Sequence, residues 1–179
     1  MKLRLFLFAI LFTGLSSVAQ SYLGTITKQA YFRAGPGNDY KIIDSLQPDT
    51  QIFIVSLKAE NDFYNIIDIQ TNKEGFVHRS FVKPDEQIKE NNRDVFSSSG
   101  KSASYNPVVE IFYNTSLTLT LKLNAETYSF SPKEKRSLTI EPGLINYRAS
   151  APGVIPNIGS QKLQSNQGYS WQFYILISD

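Results

Sequence analysis

Leu117-Thr118-Leu119-Thr120-Leu121-Lys122-Leu123 puts a leucine at every second position and a threonine or lysine between. Only an extended strand sorts these side chains onto two faces. The stretch therefore predicts a strand with one apolar side and a core for it to cover. Tyr169-Ser170-Trp171-Gln172-Phe173-Tyr174-Ile175 has the same period, with Tyr169, Trp171, Phe173 and Ile175 together. Further strand-like runs lie at Val108 to Tyr113, Glu126 to Phe130, Arg136 to Ile140 and Leu144 to Ala149, separated by Pro132-Lys133 and Pro142-Gly143. So many short strands predict a β-sandwich over residues 105–179, because two stacked sheets hide each other's apolar faces.

Upstream, residues 22–84 hold short apolar runs broken by Gly35-Pro36-Gly37, Pro48-Asp49, Asn61-Asp62 and Asn72-Lys73-Glu74-Gly75, the punctuation of a small all-β domain. Phe32-Arg33-Ala34-Gly35-Pro36-Gly37-Asn38-Asp39-Tyr40 has the glycines of a phosphate cradle, but a cradle normally feeds a helix. Here β-branched and aromatic residues follow, so the reading is a tight turn between strands. Between the two parts, residues 85–104 are polar and serine-rich without a clear period, and read as a linker with one brief helical turn near Glu86 to Lys89.

The chain opens MKLRLFLFAILFTGLSSVAQ: Lys2 and Arg4, an apolar run, then small residues up to Ala19. That layout predicts a signal peptide over residues 1–19, and an exported, periplasmic or secreted protein with no membrane span once it is removed. There is no cysteine, so neither a disulfide framework nor a lipid-attachment thiol exists. Without Lys2 and Arg4 the chain has 18 − 2 = 16 basic and 16 acidic residues, seven of each sign before Asp85 and nine of each from it onward. Neither part offers the basic field that nucleic acid requires.

The run from about Ile26 to Val82 resembles the bacterial SH3-like domain family. Tyr31-Phe32-Arg33-Ala34-Gly35-Pro36 is similar to its first strand and turn, and Tyr40 to Leu46 to its next strand. Asn61 to Ile66 and Glu74-Gly75-Phe76-Val77-His78-Arg79-Ser80-Phe81-Val82 are similar to its closing elements. Phe63 and Phe76 stand where the family usually shows tryptophan, and Asp49 where a turn glycine is usual. The resemblance implies a small β-barrel that binds peptidoglycan or its peptide. The second part resembles an immunoglobulin-like sandwich in architecture alone, notably at the turn and strand Glu141 to Ser150. Architecture carries no function. Ser150 to Gly159 reads as a long loop, packed over the sandwich or available to a partner.

In the Phe32–Tyr40 turn, glycine is expected to supply permissive dihedrals and proline a preset φ. Arg33 either pairs with a carboxylate such as Asp62 or Asp44, or contacts a ligand. One histidine and no cysteine give no zinc set, no serine lies in a Gly-x-Ser-x-Gly elbow, and the carboxylates read as solvated turn residues. No catalytic, metal or cofactor residue is assigned. Twelve Phe, ten Tyr and one Trp form a surplus, and adjacent strand residues face opposite ways, so some rings must be exposed. They suggest a shallow groove at Tyr31, Arg33, Tyr40, Asp62, Phe63 and His78, against the alternative of ordinary barrel packing. The expectation is an all-β, non-catalytic exported protein: an SH3-like β-barrel binding a cell-envelope component, with a β-sandwich beside it. Two alternatives stand: a structural adaptor binding only envelope proteins, and an enzyme whose site lies unrecognised in the sandwich.

Overall fold

The computed structural model describes residues 20–91 and 93–173. The expected leader, residues 1–19, lies outside them. Regular structure in the described residues is β throughout, apart from the 3-10 turn Arg79–Phe81. The fold class is all-β.

Seven strands come from the first part: β1 (Tyr22–Ile26), β2 (Ala30–Arg33), β3 (Ile42–Leu46), β4 (Gln51–Ile54), β5 (Phe63–Asp68), β6 (Lys73–His78) and β7 (Val82–Gln87). They form one sheet in the order β3-β2-β6-β5-β4-β1-β7. Leu46 of β3 and Val82 of β7 belong to one buried cluster with Phe32, Ile52, Ile54 and Ile66, so the sheet bends strongly around a single core. No pairing among the described residues joins β3 to β7, and the sheet stays open where a closed barrel was expected. After Val82 the outer strand β7 is exposed and carries Pro84, charges and amides, side chains that blunt an edge. Asp49 takes φ +63°, the left-handed conformation that a turn there demands of a residue other than glycine.

The second part forms two four-stranded sheets. β10 (Leu119–Leu123), β11 (Glu126–Phe130), β13 (Gly143–Ala151) and β14 (Val154–Leu163) lie in the order β11-β10-β13-β14. β8 (Ser97–Lys101), β9 (Val108–Tyr113), β12 (Lys135–Thr139) and β15 (Gln167–Phe173) lie in the order β12-β9-β15-β8. Leu119, Leu121 and Leu123 from one sheet, and Val109, Ile111 and Trp171 from the other, share one buried cluster, as a sandwich requires. Leu117 falls outside the ladder, because its amide donates to the Thr115 hydroxyl (3.0 Å) in a local turn that precedes β10.

Two expectations are corrected. Residues 85–104 are not a structureless linker: they hold the end of β7 and the whole of β8, and no helical turn occurs near Glu86. β8 is exposed at every position and held by its pairing with β15, so its side chains give no apolar alternation to read. Ser150–Gly159 is not a long loop but a hairpin, turning at Pro152-Gly153 between Ala151 and Val154. Gly153 has φ +74°, which the turn needs, and Pro156 is tolerated because β14 is an outer strand.

The two parts are packed against each other. Alternation along β4 sends Ile52 and Ile54 into the first core and Phe53 to the opposite face. There Phe53 joins Ile67 and Ile69, with Ile88 and Ile158 against them. Each such side chain, fully covered, contributes about 1.5–3 kcal/mol. Around this cluster the Gly153 amide donates to the Ile69 carbonyl (2.7 Å) and the Asn91 amide to that of Ile158 (2.8 Å). Asn72 donates to the Thr120 hydroxyl (3.1 Å), and Arg148 forms an ion pair with Glu74.

Candidate functional site

Arg33 closes β2, opposite Phe76 of β6. Its guanidinium Nη1 donates to the carbonyls of Asn38 (2.8 Å) and Tyr40 (2.9 Å), tying the β2–β3 loop into a closed turn. The same guanidinium lies 5.5 Å from the centre of the Tyr31 ring, within cation–π range. Neither carboxylate expected for Arg33 pairs with it in the structure. Asp62 bonds Arg79 (2.8 Å) and Asp44 bonds Lys73 (2.6 Å). The Lys73 ammonium and the Ser45 amide hold the Asp44 carboxyl below its usual range, and Asp44 correspondingly raises Lys73.

Gly35 serves a purpose other than the one expected. It does not have a left-handed φ; instead a Cβ there would overlap the Tyr40 ring. The missing side chain lets Tyr40 lie across the turn. Asn61 then donates to the Pro36 carbonyl (3.2 Å), bringing the β4–β5 loop against the β2–β3 loop. The turn has no helix behind it and is no phosphate cradle.

Tyr31 is 60% exposed and Tyr40 50% exposed, so two aromatic faces reach solvent on either side, in sequence, of a half-buried Arg33. The other three expected residues are occupied differently. Phe63 is buried and meets the His78 ring edge-on at 5.2 Å. His78 caps the 3-10 turn, its Nδ1 accepting from the Ser80 amide (3.3 Å) and lying 2.7 Å from the Ser80 hydroxyl. Asp62 sits at φ +67° and accepts the Arg79 amide on its carbonyl (2.8 Å). Tyr31 and Tyr40 thus present exposed rings beside a half-buried Arg33, while Asp62, itself exposed, Phe63 and His78 form the structural support for the neighbouring turn.

Asp68, expected as a solvated turn residue, is buried; it accepts from the Gln70 amide (3.1 Å) and the Thr71 hydroxyl (2.5 Å). Among the described residues no three His, Asp or Glu side chains come together as metal ligands. Their helical content holds nothing long and apolar enough to cross a membrane. No family model, curated protein or solved structure matches this chain.

Proposed function

We propose that the chain is a non-catalytic, exported binding protein whose seven-stranded first part, SH3-like in its turn chemistry, recognises a cell-envelope component: peptidoglycan or its stem peptide. The exposed pair Tyr31 and Tyr40, set around an Arg33 already tied to the loop carbonyls, carries this reading. Amphipathic rings contribute contact area at low entropic cost, and a turn closed beforehand loses little freedom on binding. Sedimentation of the purified chain with insoluble peptidoglycan tests it. The chain should pellet, and Tyr31→Ala or Tyr40→Ala should weaken retention by about tenfold without altering the circular dichroism spectrum. A chain that stays in the supernatant rules the reading out.

A second reading, an adaptor that binds only envelope proteins, is favoured by the packing of the two parts around Phe53, Ile67 and Ile158, which suits a spacer of fixed shape. Under it the chain does not pellet with peptidoglycan, and crosslinking in intact cells captures one discrete protein through the Tyr31–Tyr40 face.

A further inference from the structure

The outer face of the β12-β9-β15-β8 sheet turns away from the sandwich core, and alternation decides what it presents. Val109, Ile111 and Tyr113 of β9 are buried in that core, so Glu110 and Phe112 point out. The register sets Ser170 of β15 beside Glu110 and Gln172 beside Phe112, with Lys135 of β12 on the other side of Phe112. These side chains line a depression of about 290 Å³, at the small end of ligand sites. Phe112 is only half-buried there, while Lys135 and Gln172, its neighbours in register, are exposed. Part of an aromatic ring therefore stands open among polar groups.

The chemistry of the lining narrows the occupant. Glu110 and Lys135 bond each other (3.0 Å) and cancel in charge, so the depression favours neither an anion nor a cation. One half-buried ring gives too little apolar area to hold a lipid chain. Strand β9 has a neighbour on each side, which commits its amides and carbonyls to the ladders. A peptide laid on this face would find no main-chain partners there. What remains are side chains: a serine hydroxyl and a glutamine amide that both donate and accept, a carboxylate that accepts and an ammonium that donates.

A sugar ring matches this set. Each of its hydroxyls donates and accepts, while its C–H face is apolar and lies flat on an aromatic ring. Along β12 the same face continues through Ser137 and Thr139, both exposed, so hydroxyls extend the surface past the depression and suit a polymer better than a free monosaccharide. We infer that the outer face of this sheet binds a neutral polysaccharide, one sugar stacked on Phe112 and hydrogen-bonded by Glu110, Lys135, Ser170 and Gln172. The site lies in the second part of the chain and is independent of the Tyr31–Tyr40 face.

Native gels cast with hydroxyethylcellulose, laminarin, dextran or galactomannan, all neutral and soluble, test this on the purified chain. At least one should retard the chain relative to a gel without polysaccharide. Anionic carboxymethylcellulose should retard it no more than hydroxyethylcellulose does. Phe112→Ala should weaken the retardation by about tenfold. Gln172→Ala, at an exposed position that leaves folding intact, should weaken it by about threefold, and decides the matter where Phe112→Ala unfolds. Tyr31→Ala should leave retardation unchanged. A chain retarded by none of the four neutral polysaccharides overturns the inference, as does retardation indifferent to both sandwich substitutions. So does stronger retardation by carboxymethylcellulose, which would mark a charged occupant, or retardation abolished by Tyr31→Ala, which would assign the saccharide to the first part.

Discussion

Tyr147 shows what a buried hydroxyl costs. Its ring packs edge-on against Phe96 and Trp171, while its oxygen lies beside Asn91 and has no hydrogen bond of ordinary geometry among the described residues. Burial pushes the phenol up to about 12. The unfolded chain ionises first, near 10, so this group's contribution to stability is complete below that pH and falls away as pH rises toward 12. Tyr147→Phe keeps the ring and removes the titration. Urea unfolding should show the substituted chain losing less stability than the parent between pH 10 and 12, with a difference of under about 1 kcal/mol at neutral pH. Asp44 has the opposite sign: held down by Lys73 on the surface, its contribution is lost as pH falls through the lowered value, and salt weakens it. At this scale the sequence was partly readable. The alternation argument that some rings must be exposed fits Tyr31 and Tyr40, while Phe63 and His78 were beyond it. Their surroundings depend on the 3-10 turn after β6, which joins residues through tertiary contacts rather than through a local pattern.

Phe96 decides the course of a whole element. It is 1% exposed, meets Trp171 at 4.7 Å between ring centres, and is held by Gln161 through both its amide and its carbonyl. This anchor delivers the polar strand β8 to the edge of β15. Phe96→Ala should cost about 3–5 kcal/mol in urea unfolding. Hydrogen exchange should also speed at the β15 amides that β8 covers, in Gln167–Ser170. An effect confined to Phe96 itself would show that β8 is held by other means. The strands that cover a core were legible: Val108–Tyr113 and Glu126–Phe130 have the expected bounds, because one buried face imposes period two. β8 was not, because both its faces are wet. β14 was hidden by Pro156 and Gly159, residues that ordinarily argue against a strand. An outer strand tolerates the proline, and the glycine is required because a Cβ there would collide with the Tyr147 hydroxyl and the Asn91 carbonyl.

Across the molecule, the unforeseen feature is the contact between its two parts. Two β units joined by a polar stretch were expected; nothing in the sequence of β4 says that Phe53 needs a partner outside its own sheet. The ion pair between Arg148 and Glu74 crosses the same contact, with the arginine side chain 10% exposed and the glutamate 35%. Glu74→Gln leaves a buried guanidinium without its counter-charge and should cost about 2 kcal/mol, a value reduced for the hydration that Glu74 retains. Replacing Arg148 by Met as well should recover part of that loss, as a double-mutant cycle would measure. Because apolar and ionic contacts tie the parts together, calorimetry should give one unfolding transition. Ile158→Asp should split it into two, and two transitions in the unaltered chain would contradict the coupling.

The hairpin tip at Gly153 hydrogen-bonds Ile69, in the turn between β5 and β6 of the first part. The distance between the Tyr31–Tyr40 face and the sandwich is therefore fixed by packed side chains, and lengthening the connecting stretch would not extend the molecule's reach. Whatever is held at each end is held by a bracket rather than a leash, at one spacing and in one orientation.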